Sequence, residues 1–378
     1  MTKGSRVLAS DWVGSAWQNE STFHQLSPYI GKTKSSMAAS LVARFSKEGD
    51  RVYDPFAGCG TLAFEAWIAG RQVIANDLSP YAHLLTRAKL FPYRSVRDAL
   101  RDLEETAASV EDELEQVDLR RVPLWVRSFF HPETLREVLA WTAVLTAGRR
   151  WFLLACLLGI LHHQRPGFLS FPSSHTVPYL RTKKFPRSRF PDLYEYRPLR
   201  SRLEAKVLRA FRRVPKLDFQ LSRQCLAKSA DHLTPSSPVD AIVTSPPYMR
   251  QLDYGRDNRL RLWFLGCGDW RALDESVSPR EGEFLTLMEG CFRRWRTVLK
   301  PGGYCVLVIG DRCSREDRGN LPRTLARLAT KTIGGYALVG QHTEAIPNDR
   351  RVRRGITGSP SETILVLRNS RPRAGSGN

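Results

Sequence analysis

The sequence predicts an α/β fold: a mostly parallel sheet wrapped by helices, with a helical and basic segment set between its two halves. Three observations carry this. Short apolar runs that read as buried strands alternate with helical spacing between residues 34 and 90, in the order helix, strand, loop, helix, strand, helix. The alternation resumes after residue 219. The last two strand-like runs, Tyr336–His342 and Glu362–Arg368, read as a closing antiparallel pair.

Taken in order, residues 34–46 place Met37, Leu41, Val42 and Phe45 at helical spacing. Gly49-Asp50 turns the chain into Arg51–Asp54, a short buried strand. Pro55–Thr61 is a Gly-rich loop, Leu62–Ala69 a helix, Arg71–Ala75 the next strand and Pro80–Leu90 a helix. Asp102–Asp118 is acidic and reads as one solvated helix face. Pro132–Thr146 and Trp151–His163 read as two apolar helices broken at Gly148, and Ser201–Arg213 as a basic helix. Then come strand Val239–Thr244, helix Phe284–Leu299, turn Lys300–Gly303, strand Tyr304–Ile309 and helix Leu321–Thr332.

The chain has 378 residues, enough for a sizeable core, and its 42% hydrophobic and 25% charged residues exclude a disordered class. Seven scattered cysteines with no CxxC pair point away from a disulfide framework or zinc knuckle, and toward a reducing compartment. Met1–Trp12 has no apolar core for a signal sequence, and the longest apolar run, Trp151–Leu161, is short of the ~20 residues that span a bilayer. A cytoplasmic location without membrane association is therefore expected. His162, His163 and His175 lack Cys or acid partners at ligand spacing, so no metal is expected.

Fifty-eight Lys+Arg against 38 Asp+Glu leave a net charge of +20, which implies a polyanionic partner. Over half of that excess lies between His162 and Arg223, with 15 basic residues against 4 acidic. The stretch interleaves aromatic residues and seven prolines, so it reads as loop. Arg165, Arg181, Lys183, Lys184, Arg187 and Arg189 are its candidate contacts to phosphates, and arginines there could also read guanine edges. A second basic cluster spans Asp349–Arg373.

Two loops carry chemistry. Asp54–Thr61 (DPFAGCGT) follows a strand and opens a helix. Gly58 and Gly60 let the backbone approach a ligand, and the helix N-terminus offers free N–H groups. Asp77, 23 residues after Asp54, sits at the tip of the second strand, where a carboxylate takes a ribose diol. The full GxGxxG dinucleotide pattern is absent. The second loop is Ser245-Pro246-Pro247-Tyr248 at the end of a strand. Its prolines fix φ and remove two donors. Ser245 Oγ and a free carbonyl can accept hydrogen bonds from an exocyclic amine, and Tyr248 can stack on the ring.

With both loops in place, the chain resembles the S-adenosylmethionine-dependent DNA amino-methyltransferases, most closely the N4-cytosine type, on its SPPY serine. The resemblance spans roughly residues 23–95 and 225–368. It implies a Rossmann-like class I methyltransferase sheet, mostly parallel with an antiparallel closing strand, with a helical and basic-loop insertion. His24–Lys32 resembles the family's cofactor-closing segment, which adds Tyr29 and Lys32 to the cofactor-binding residues. Asp54, Phe56, Gly58, Gly60 and Thr61 resemble its cofactor motif, Asp77 its ribose acid, and Asp231 its adenine-binding acid. Ser245, Pro246, Pro247 and Tyr248 resemble its catalytic motif. Leu252–Arg256 and Leu265-Gly266 resemble the segment that follows the catalytic loop.

The implied organisation is residues 1–100 for the closing segment and first half-sheet, 101–218 for a target-recognition insertion, 219–370 for the second half-sheet and 371–378 for a tail. The implied activity is methylation of cytosine N4 in double-stranded DNA, on a flipped-out base. The implied setting is a bacterial or archaeal restriction-modification or phage-defence system, with a cognate endonuclease or defence partner and association with the nucleoid through DNA. N6-adenine methylation, an RNA amino-methyltransferase and a catalytically idle nucleic-acid-binding protein remain as alternatives.

Overall fold

The computed structural model describes residues 20–248, 252–277, 280–311, 321–345 and 361–372. After a 3-10 turn at Thr22–Gln25, the first half runs α1 (Ser35–Phe45), β1 (Arg51–Asp54), α2 (Thr61–Ile68), β2 (Gln72–Asn76) and α3 (Pro80–Leu90). Pro80 at the first turn of α3 suits a position whose N–H has no helical partner. A helical stretch follows: α4 (Val96–Gln116), α5 (Leu124–Arg127), α6 (Pro132–Ala147), α7 (Trp151–Gly159) and α8 (Leu199–Ala210). Ser95 caps α4 by accepting from the Asp98 N–H, and α4 buries one stripe of Ala99, Leu103, Thr106 and Val110. The second half is β3 (Arg223–Leu226), β4 (Val239–Thr244), α9 (Tyr254–Phe264), α10 (Trp270–Val277), α11 (Glu281–Val298), β5 (Leu299–Asp311), α12 (Leu321–Arg327), a π-turn at Leu328–Ile333, β6 (Tyr336–Ala345) and β7 (Ser361–Asn369).

The seven strands form one sheet in the order β3-β2-β1-β4-β5-β7-β6. β3, β2, β1, β4 and β5 are parallel, and β7 runs antiparallel between β5 and β6. Strand order reverses between β1 and β4, so their C-terminal ends diverge into a crevice. Alternate side chains go to opposite faces. Val52, Val73, Ala241, Val306 and Val366 pack beneath α1–α3 and α6–α8. Tyr53, Ile74, Ile242, Leu307 and Leu365 pack with Phe292 and Trp295 of α11 and with Leu325 of α12.

The helices between residues 101 and 218 share the first of these cores: Leu103, Val138, Leu154 and Leu203 lie in one apolar cluster with Val52 and Leu62. α7 is buried along Phe152–Gly159, as its continuous apolar run predicts. It ends at Gly159 rather than His163, because the chain turns away into the basic loop. There Leu169 N–H bonds to Ile160 O, and the His162 ring pairs with Ser174 O. The Lys300–Gly303 turn lies inside the β5 span as a break in its register with β4. β3, α9 and α10 are elements the sequence reading lacks. Of the C-terminal basic cluster, 346–360 and 373–378 lie outside the described residues. Arg368 and Arg371 donate to the backbone oxygens of Gly302 and Leu299. No helix among the described residues is long and apolar enough to cross a membrane.

Candidate functional site

The crevice at the strand tips holds a cavity with about 860 Å³ of empty space, open at its mouth. Both chemical loops reach it. Phe56, Gly58, Cys59 and Thr61 from the first, Asp77 from the tip of β2, and Ser245 and Pro247 from the second line its wall, with Tyr29 and Lys32 from the N-terminal segment. The sequence expectation that these distant stretches meet is therefore realised geometrically.

The Gly-rich loop is shaped by close packing. Gly60 has φ +75°, and a Cβ there would stand 2.9 Å from the Thr86 backbone on α3. Neither the conformation nor the space admits a side chain. Thr86 Oγ1 in turn donates to Gly58 O at 3.0 Å. Gly60→Ala is expected to lower the unfolding free energy by at least the ~1–3 kcal/mol of backbone strain. It should also weaken cofactor binding; unchanged melting temperature and cofactor affinity would show that the loop is free to move.

Asp77 accepts from Gly58 N at 2.7 Å on one oxygen and from Ser79 N at 2.9 Å on the other. These bonds fix the carboxylate in the cavity wall and leave lone pairs for a diol. Burial lifts its pKa to about 6 against the lowering effect of the two N–H groups.

Asp54 is placed differently from expectation. It is 1% exposed and lies behind the loop, not in the cavity wall. Its Oδ1 accepts from Thr244 Oγ1 at 2.7 Å, and Thr244 Oγ1 accepts from Phe56 N at 3.1 Å. Thr244 immediately precedes Ser245, so this relay bolts the cofactor loop to the catalytic loop. The other oxygen, Oδ2, has no partner. Burial raises the Asp54 pKa to about 7, opposed by the Thr244 bond. Since the folded value lies above the unfolded ~3.9, the folded state holds the proton longer. Stability is then full below pH ~4 and falls as pH rises to about 7, by up to ~4 kcal/mol from this group. The expected result, from urea unfolding across pH 4–8, is that wild type loses stability relative to Asp54→Asn as pH rises through that window. A difference that stays flat would contradict the buried placement.

Ser245 Oγ donates to Val308 O at 3.1 Å. Ser245 also bonds with the Tyr248 hydroxyl and stands in the cavity wall. Pro246 is buried behind it while Pro247 reaches the wall.

Two expected contacts are relocated. Tyr248 is absent from the cavity lining, and its hydroxyl donates to Glu362 Oε1 of β7 at 2.8 Å. The aromatic wall is supplied instead by Tyr254, the first residue of α9, which stacks on Tyr29 at 6.2 Å between ring centroids. Asp231 also turns away: its carboxylate takes the Ser229 hydroxyl and abuts Gly290 of α11, so Lys228, Ser229 and Ala230 line the cavity in its place. Thr244, which links the two loops, and Tyr254, in the cavity wall, are site residues that the sequence expectation did not include. Tyr254 stood within the Leu252–Arg256 segment already noted for its resemblance, but nothing local assigned it to the cavity. Asp253 and Arg256, in the same segment, pair with each other at 2.5 Å.

The N-terminal segment is anchored by its own backbone. Tyr81 Oη donates to Pro28 O, Lys206 Nζ to Gln25 O, and Lys32 Nζ to His24 O and Glu20 Oε1. Tyr29 is thus held over Gly58, and burial raises the pKa of its phenol.

The basic loop has little regular structure, and two buried arginines organise it. Arg197, 3% exposed, donates to the carbonyls of Phe168, Ser170 and Leu193. Arg261 of α9, fully buried, donates to those of Leu158, Thr176 and His175. Arg165, Lys183, Lys184, Arg187 and Arg189 are exposed and Arg181 half-buried. Among the described residues none of the six is in an ion pair. Arg181 and Lys184 lie over the Phe185 ring, and Arg187 over Tyr194. His163 and His175 meet ring to ring beside Phe168. No group of three or more His, Cys, Asp or Glu among the described residues is placed to hold a metal.

This strand order, with a Gly-rich loop after β1 and an acid at the tip of β2, defines the Rossmann-like methyltransferase fold, whose cofactor is S-adenosylmethionine. The residues present fit it: Asp77 for the ribose, exposed Leu78 for the adenine, and Tyr29 and Phe56 for the sulfonium end. At family level, residues 29–123, about a quarter of the chain, match the model of the D12 class N6 adenine-specific DNA methyltransferases.

No curated protein matches the sequence detectably. Solved structures of similar fold include TrmN from Thermus thermophilus, at 14% identity and TM-score 0.35, over 92% of this chain and 52% of that one. Others are the rRNA methyltransferase aviRa from Streptomyces viridochromogenes, at 11% and 0.34 over 92% of each chain, and the putative RNA methyltransferase PH1948 from Pyrococcus horikoshii, at 9% and 0.37 over 96% of this chain and 100% of that one. This chain thus spans about half the length of TrmN. The fold class rests on the strand order and not on these likenesses.

Proposed function

We propose that the chain methylates an exocyclic amine of a base in double-stranded DNA, with cytosine N4 as the target. The observation that carries this reading is Ser245, which bonds to Val308 O and stands in the wall of a cavity that also contains the Gly-rich loop and Asp77. When bound, S-adenosylmethionine supplies an electrophilic methyl group. Ser245 Oγ, in the cavity wall, accepts an amine hydrogen and orients the nitrogen lone pair toward that methyl group, in place of the Pro246 carbonyl that the sequence suggested. A conjugated amine needs placement and in-line approach more than a strong base. Asp77 holds the ribose, and the stacked Tyr29 and Tyr254 keep water from the sulfonium side. A base within a duplex cannot enter such a crevice, so the target is flipped out. The unpaired basic loop supports a nucleic-acid partner.

N6-adenine is the second reading, favoured by the family match over 29–123. That match covers the cofactor half and ends well before Ser245, so the N4 reading stands on the serine itself. The deciding experiment incubates the protein with labelled S-adenosylmethionine and DNA or RNA, followed by nucleoside mass spectrometry. N4-methylcytosine in DNA is the expected product. N6-methyladenine would replace the target, and label appearing only in RNA would overturn the reading.

A further inference from the structure

We propose that the chain carries a second site, for a phosphate-bearing nucleotide, on the far side of Leu78 from the cofactor cavity. Leu78 lines both cavities. The second has about 1,120 Å³ of empty space, open to solvent, and lies between α3 and the turn joining α6 to α7. Its enclosed volume, about 560 Å³, falls within the roughly 300–1,000 Å³ of ligand clefts, so a nucleotide fits.

Two arginines, Arg87 and the exposed Arg149, line this space. Arg87 lies between the rings of Trp151 and Phe91, 5.7 Å from each centroid. Stacking holds the guanidinium plane in place without using its N–H donors. Its Nε is buried and has no acceptor. Among the described residues neither Arg87 nor Arg149 has a carboxylate partner. Arg149 is also the one non-glycine residue among those described with positive φ, at 55°. That conformation closes α6, with Arg149 N–H bonding to Thr146 O and Arg150 N–H to Leu145 O.

A desolvated, unpaired donor and a second free cation call for an oxyanion. The remaining wall, Leu78, Leu84, Leu265 and the Trp151 indole, calls for a flat apolar body. A nucleotide joins the two. S-adenosylmethionine has no phosphate and does not meet the requirement. The inference does not depend on methyl transfer.

The test is calorimetric titration of the full chain with deoxycytidine monophosphate, deoxycytidine, inorganic phosphate and a short single-stranded oligonucleotide. It is repeated for Arg87→Met and Arg149→Gly, with S-adenosylmethionine affinity measured alongside. The expected result is that each variant binds the nucleotide about tenfold or more weakly while cofactor affinity is kept. Arg149→Gly should also melt at or above the wild-type temperature, since glycine relieves the positive φ. That separates loss of the site from loss of the fold. Monophosphate binding identifies a free nucleotide as the ligand, and binding of the oligonucleotide alone identifies a nucleotide within a strand. Wild type binding neither, variants binding both as wild type does, or inorganic phosphate or deoxycytidine binding as tightly as the monophosphate would overturn the site.

Discussion

Ser245→Ala is expected to lower kcat for methyl transfer by about 10²–10³, the range seen when one preorganised polar group at a reacting centre is removed. Cofactor affinity should stay at the wild-type value, because the Gly-rich loop and Asp77 are held by Thr86, Ser79 and the α2 start, and not by Ser245. The loss should fall mainly on kcat, since the hydroxyl's task is to set the amine for attack. Single-turnover kinetics with saturating DNA, read beside equilibrium binding of S-adenosylmethionine, make the check. A variant that transfers methyl groups at the wild-type rate would remove Ser245 from the chemistry. Loss of cofactor binding along with the rate would make it a structural prop of the cavity. Tyr248→Phe offers an internal comparison. Its hydroxyl contacts Glu362 and not the cavity, so that change is expected to cost stability more than rate.

Replacing Arg165, Arg181, Lys183, Lys184, Arg187 and Arg189 together with alanine is expected to produce the largest change in DNA affinity. A cation that neutralises a phosphate contributes about 0.9 to the slope of log affinity against log salt. Six such contacts would flatten that slope by about 5. At low salt the loss of affinity should exceed about a hundredfold. Fluorescence anisotropy with labelled duplex across a salt series measures both. The fold is expected to be unaffected, because exposed or half-buried cations are being removed while Arg197 and Arg261, which hold the loop's carbonyls, remain. An unchanged slope would place the DNA elsewhere on the surface.

The parallel half of the sheet was legible because its strands are short, apolar and bounded by turn chemistry. Val52-Tyr53 and Val239–Thr244 bury side chains on both faces and leave no helical alternative. β3 was illegible for the opposite reason. It is an edge strand, and Arg223-Gln224-Cys225-Leu226 buries no residue fully, so no apolar run marks it. α9 escaped detection because it buries Asp257, Asn258 and Arg261 alongside its leucines, and the carbonyls that take Arg261 come from segments far away in sequence. The site divides along similar lines. DPFAGCGT and SPPY act largely through local backbone geometry, so residue type and spacing announce them. The direction in which Tyr248 points depends on Glu362, more than a hundred residues later, and no local pattern encodes that. Asp54 shows a third case: the residue was found, but its burial behind the loop was not, since a carboxylate braced by Thr244 and one facing a ligand look alike in sequence.

The carbonyl grips of Arg197 and Arg261 have a consequence for how the protein meets a long polymer. A proline-rich segment without strands or helices would ordinarily sample many shapes and surrender that freedom on contact. Here several of its carbonyls are already held by buried guanidinium groups, so less of the ionic attraction is consumed in ordering the segment. One grip comes from α9, the helix that begins with Tyr254 at the cavity wall. Under the proposed function, the basic loop and the cavity wall are thus joined through α9. A change of tilt at the loop, caused by a mismatched sequence, would be felt at Tyr254 as misalignment, so that discrimination between sites can appear in the rate even where affinity barely differs.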